Sequence, residues 1–206
     1  LLKQVFTTLL SNYTQDSEYI ESLWGDIVKQ HSKKARYYHN LSHLDHLYHN
    51  LVEVKNKIKD WDMVLFALFY HDYIYNILKQ DNEEQSAKKA IEVLNSSSID
   101  KNRITLCSDM ILATKGHNNS ESSDINYFTD ADLSILGSDW KNYETYYKNV
   151  RKEYKYYPDF MYNKGRIKVL NHFIHMQAIF KSEYFYKKFE GKAKENLQQE
   201  IDLLSN

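Results

Sequence analysis

Apolar residues recur at spacings of three and four along most of the chain, and the breaks between these runs carry capping side chains rather than glycine or proline. The pattern predicts helices over Val5 to Tyr13 and Glu18 to Gln30. In the second, Ile20, Leu23, Trp24, Ile27 and Val28 form one stripe, and Asp16 or Ser17 is its cap. Asn40 or Ser42 opens a third helix that runs to about Ile58, with Leu44, Leu47, Leu51 and Val54 on its apolar face. Asp60 then caps a different kind of segment. From Met63 to Phe69 every residue is apolar, a run too short for a bilayer and too uniform for a surface, so a fully buried helix ending near His71-Asp72 is predicted.

Residues 73–80 read as a loop or a bent continuation. Asp81 caps a helix to about Asn95, and Ile99 or Asp100 starts another through Ala113. The stretch from Thr114 to Ser123 is the clearest loop, and a short helix then carries Asp130-Ala131-Asp132-Leu133 toward Gly137. Helices over Asp139 to Tyr157, Gly165 to Phe180 and Ser182 to Leu204 complete the chain, with Pro158 ending the first of them or following its end. The fold class expected is all-α: one domain over residues 1–206, a core from about 20 to 180, roughly eight to ten helices, and a C-terminal helix packed on the body.

Composition agrees. Five glycines and one proline in 206 residues are too few for a chain rich in hairpins, and the length suits one sizeable core. The net charge of −1, with no long basic run, argues against a nucleic-acid polymer as partner. No 18-residue apolar stretch and no charged, apolar leader is seen, so no membrane partner is expected. The single cysteine, Cys107, sits in an apolar segment as a core residue and fits a reducing compartment, so a cytoplasmic placement is expected. The amphipathic ends leave a homodimer open.

The chemistry concentrates where the apolar helix ends. An imidazole and a carboxylate buried there are costly unless paired or bound to a cation, and a metal site is the favoured explanation. Neighbouring helix residues point about 100° apart, so His71 and Asp72 can face one ion only at a helix end or distortion. Completing a donor set needs side chains from other elements. Arg36 to Asn50 holds His39, His43, His46 and His49, of which His43 is the candidate; Asp130 or Asp132 is the candidate from the later helix. His46 and His49 read as surface or structural, and His31, His172 and His175 as bland.

Order and spacing add to this. Arg36-x-Tyr38-His39-Asn40-x-x-His43, then Tyr70-His71-Asp72-Tyr73-Ile74-Tyr75, Asn82-Glu83-x-x-Ser86-Ala87, Thr114-Lys115-x-His117, Asp130-Ala131-Asp132-Leu133 to Gly137, Arg151-x-Glu153-Tyr154 and Gly165-Arg166 follow one another. In this the chain resembles the HD superfamily of metal-dependent phosphohydrolases, and more narrowly its branch with an Arg-x-Tyr-His-Asn-x-x-His opening. The likeness spans roughly residues 20 to 180; Tyr70 stands where Phe is usual. It implies an all-helical HD-type fold and hydrolysis of a small phosphomonoester or phosphodiester, with nucleotide-like molecules among the candidates. It implies His43, His71, Asp72 and Asp132 as metal ligands. Asp132 is preferred to Asp130 because the superfamily's last ligand commonly precedes Leu, which leaves Asp130 to cap a helix.

Imidazole and carboxylate donors together suit manganese, iron, cobalt, nickel or zinc better than magnesium. In the mechanism expected, Asp72 orients or deprotonates the attacking water, while Lys115 and Arg36 offset phosphoryl charge. His117 protonates the leaving oxygen or binds a second metal, and Glu83 holds a ligand imidazole in its tautomer. Arg151 and Arg166 are expected in internal ion pairs. Two rivals stand beside this reading: a di-iron oxygenase drawing on His39, His46 and His117, and a non-catalytic sensor that keeps the metal pocket.

Overall fold

The computed structural model describes residues 1 to 205, and among them the chain is all helical, with no strand. Ten α-helices follow in order: α1 (Leu2–Ser11), α2 (Ser17–His31), α3 (Leu41–Glu53), α4 (Trp61–Tyr70), α5 (Asn82–Leu94), α6 (Lys101–Ala113), α7 (Ser123–Asp132), α8 (Trp140–Glu153), α9 (Asp159–Ile174) and α10 (Glu183–Ser205). Short 3-10 turns lie at Lys55–Lys57 and Leu133–Gly137. None of the described helices is long and apolar enough to cross a membrane.

Helix α4 is the axis. Each of its residues from Met63 to Tyr70 is buried, and α1, α3, α5, α6 and α7 pack around it. The Met, Val, Leu and Phe side chains among them each contribute about 1.5–3 kcal/mol on burial, which is why a ten-residue helix can be wrapped on all sides. The caps are local and polar. Asp16, Asn40, Asp60 and Asp100 each accept a backbone N–H from the first turn of the helix they precede. Asp60 also binds Arg103 of α6, so one carboxylate both starts α4 and ties it to its neighbour.

Three helices depart from the sequence expectation where backbone polar groups find partners outside the helix. Helix α3 stops at Glu53 instead of reaching Ile58. The chain turns so that the N–H groups of Lys59 and Asp60 meet Asp124 at 2.8–3.1 Å. Helix α8 ends at Glu153, four residues early, where Arg151 binds the carbonyls of Tyr154 and Tyr157. Helix α9 occupies Asp159–Ile174 and not Gly165 to Phe180. Pro158 precedes its first turn, a position where a missing N–H is harmless. Beyond α9, Ile179 and Phe180 are buried in a non-helical crossing whose N–H groups bind Glu190.

Helix α7 is pinned at both ends. Asp124, in its first turn, accepts from Lys59 and Asp60, and Asp130, in its last, accepts from the N–H groups of Lys181 and Ser182 and from the Ser182 hydroxyl at 2.6–3.0 Å. Both carboxylates are buried. Asp130 therefore serves as an anchor for the start of α10. The 3-10 turn after α7 lies directly on α10: a Cβ on Gly137 would sit 2.5 Å from Phe189 Cβ and 2.7 Å from its carbonyl oxygen. That close approach, and not a special backbone angle, requires glycine here.

Candidate metal centre

The ends of α4 and α7 and the first turn of α3 meet at one corner. After Tyr70 the chain tightens: His71 keeps helical angles, and Tyr73 N–H bonds back to the Tyr70 carbonyl at 3.0 Å. That tighter turn brings both His71 and Asp72 to the same point. Arg36 fixes the turn from behind, its guanidinium donating to the carbonyls of Asp72 at 2.7 Å, Tyr73 at 2.9 Å and His39 at 3.2 Å.

Four side chains converge. His43 Nε2 lies 3.1 Å from His71 Nε2 and 3.2 Å from Asp132 Oδ1. Asp72 Oδ2 lies 3.2 Å from His71 Nε2 and 3.7 Å from His43 Nε2, and His71 Nε2 is 3.7 Å from Asp132 Oδ1. Ligand atoms about 2.1 Å from one ion stand about 3.0 Å apart in an octahedral arrangement and about 3.4 Å apart in a tetrahedral one. The observed separations match that spacing, and His43, His71 and Asp132 form a group able to hold a metal ion. His71 Nδ1–H donates to the Leu68 carbonyl at 3.0 Å, which leaves Nε2 facing the corner, the arrangement a ligating histidine needs.

The field at this point favours positive charge. Burial works against a charge on His71, but Asp72 and Asp132 outweigh it and push its pKa up to about 9. Burial would also raise the two carboxyls; instead His71, His39 and His43 hold Asp72 well below the usual range, and His117, His43 and His71 do the same for Asp132.

The corner opens into a cavity of about 620 Å³. Tyr38, Tyr75, Tyr146, Tyr154, Tyr157 and Tyr162 line it, with Phe173 and the Gly165 face of α9 opposite. His39 also faces it. Its Nδ1–H donates to Glu153 Oε2 at 2.7 Å, and Glu153, buried, further accepts from the N–H groups of Tyr38 and His39 and from the Tyr75 hydroxyl. Burial opposes the Glu153 charge, yet His39 and those N–H groups keep the carboxyl below its usual range. In His39 itself Asp72 and Glu153 overcome burial and raise the pKa.

Other expected residues stand elsewhere or do something else. Arg36 is buried behind the corner, not in the cavity, and its donors bind carbonyl oxygens; it positions Asp72 and His39 and offers no charge to a ligand. Lys115 lines the cavity, but Glu84 and the Gln80 carbonyl hold its ammonium, so its charge is already matched. Glu83 touches no ligand imidazole and lies 3.9 Å from Lys115. His117 is close: its Nε2 is 3.0 Å from Asp132 Oδ2, and it holds a positive φ of 49°. His46 binds Asn50 and Ser134, and His49 pairs with Asp45 at the surface. Arg151 pairs with Asp159 and Arg166 with Glu200, as expected. The role of Glu153 was not read from the sequence. It stands within the Arg151-x-Glu153-Tyr154 motif, but nothing local says that a carboxylate 114 residues from His39 orients it.

No family model matches the chain, and no curated protein and no solved structure matches it either.

Proposed function

We propose that this chain is a metal-dependent hydrolase of a small phosphoric ester, of the HD type that its motif order resembles. The observation that carries the reading is the meeting of His43, His71, Asp72 and Asp132 at one corner of a large cavity. Two imidazoles and two carboxylates suit manganese, iron, cobalt, nickel or zinc more than magnesium. When bound, such an ion lowers the pKa of a coordinated water and polarises a phosphoryl oxygen. The protein's own part follows from the contacts. Asp72 is placed to orient the attacking water and take its proton. His39, with Nδ1 committed to Glu153, turns its other nitrogen toward the cavity and replaces His117 as the donor to the leaving oxygen. The tyrosine walls exclude bulk water around the reacting phosphate.

A second reading has one observation behind it. Asp132 presents Oδ1 to His43 and His71 and Oδ2 to His117, so the carboxylate is placed to bridge two ions. That arrangement serves a binuclear hydrolase or a di-iron oxygenase; His46, bound to Ser134, adds nothing to it.

The test is metal content and metal-stimulated hydrolysis of generic and natural phosphoesters, with His71→Ala and Asp132→Ala beside the parent. One or two ions per chain, and a loss of at least about tenfold in metal affinity in each variant, support the reading. Unchanged affinity, or equal inactivity of the parent and Asp72→Ala on every ester, sinks it. Two irons per chain with a visible absorption band turn it toward oxidation.

A further inference from the structure

The cavity mouth is bordered by a surface unlike the rest of the molecule. Between Asp159 and Glu183 the chain has no carboxylate, although acidic and basic residues balance overall. The Asp159 carboxylate is bound by Arg151. Four lysines border this surface, Lys152 in the last turn of α8, Lys155 in the turn that follows, and Lys164 and Lys168 on α9, all exposed. Among them stand the two most exposed aromatic side chains of the described residues, Phe160 at 75% and Tyr156 at 74%, with Met161 and Val169 half exposed on the cavity rim. The Arg151–Asp159 pair and the packing of Tyr154 on Tyr162 join the end of α8 to the start of α9, so these residues form one patch.

We infer that this patch docks the protein on an anionic phospholipid surface, with the cavity mouth turned toward it. Charge complementarity names the sign of the partner. The kind of partner follows from shape and side-chain type. The patch joins the turn between α8 and α9, which carries Tyr156, to the outer face of α9, which carries Phe160; a bilayer interface accepts protruding rings flanked by lysines. A single nucleic-acid strand is instead tracked by a groove with stacking platforms. The arginines that would fork onto individual phosphates, Arg151 and Arg166, are committed to Asp159 and Glu200, leaving lysine point charges that suit a diffuse negative surface. This reading departs from the composition, which gives no hint of a membrane partner. It does not depend on the proposed hydrolase chemistry.

Co-sedimentation of the full chain with phosphatidylcholine vesicles, with and without phosphatidylserine, tests it. Binding only to the phosphatidylserine vesicles, weakened by salt, is expected. The double reversal Lys164→Glu and Lys168→Glu should reduce it by at least about 25-fold, on the order of fivefold for each lysine lost. Phe160→Ser should weaken it further, and Lys101→Glu, away from the patch, should leave it unchanged. All these side chains are exposed, so circular dichroism should show intact folds. No preference for phosphatidylserine, or full binding by the double reversal, overturns the inference. So does capture of single-stranded RNA by the patch while vesicles are ignored.

Discussion

At the scale of the residue, the site separates groups that face the cavity from groups that hold them. Glu153 belongs to the second kind: one buried carboxylate fixes His39 through its ring and its backbone and also engages Tyr75. Glu153→Gln keeps the shape but puts an amide donor where only acceptors fit, so His39 loses its fixed tautomer. The variant should bind metal as the parent does and lose about tenfold or more in turnover, read from kcat across pH. His31 supplies a different residue-scale expectation. It is buried, its Nδ1–H donates to the Ile27 carbonyl, and burial, helped by Arg36, lowers its pKa to about 3. The folded protein thus keeps His31 neutral, whereas the unfolded chain protonates it below its ordinary value. Stability from this group is full above about pH 6.5 and falls as the pH drops toward 3, with a slope of up to about 1.4 kcal/mol per pH unit. Urea unfolding across that window should show the slope, and His31→Met should flatten it.

At the scale of the element, what the sequence carries locally is what it discloses. Asp16, Asn40, Asp60 and Asp100 announce their helices because a cap and its first turn are neighbours in the chain, and Met63 to Phe69 announces a buried helix by uniformity alone. Gly165 to Phe180 misleads, because apolar spacing continues past Ile174 into residues whose N–H groups are claimed by Glu190 and Asp130 from other helices. The same division runs through the site. His43, His71 and Asp72 could be picked as candidate donors from the residues, and Asp132 over Asp130 only from the resemblance, but the duties of Arg36, Lys115 and Glu153 depend on partners 31 to 115 residues away. Gly137 gives this scale its test. With Phe189 of α10 pressed against it, Gly137→Ala must push the 3-10 turn and α10 apart, and a loss of about 1–3 kcal/mol is expected in thermal or urea unfolding.

At the scale of the whole molecule, α3, α4 and α7 are held together by the α4 core on one side, and a cation bound at their meeting point would tie them on the other. An ion that binds the folded chain alone stabilises it by about 2.7 kcal/mol at a hundred times its dissociation constant. For a domain of this size that is a rise of roughly 5–10 °C in Tm. Differential scanning fluorimetry with manganese, cobalt, nickel or zinc should show the rise, chelator should remove it, and Asp132→Ala should abolish it.

Helix α7 carries three carboxylates with unlike duties, and this has a consequence for descent. Asp124 and Asp130 bolt the helix to its surroundings through backbone N–H groups, whereas Asp132, two residues further on, bonds no backbone N–H among the described residues and reaches the neighbouring loop only through the His117 ring. A lineage without the proposed chemistry could therefore discard Asp132 and keep the scaffold. Cousins that lack the His43–His71 pair should retain both bolts and vary freely at the third acid, and recombinant Asp132→Ser should fold as well as its parent.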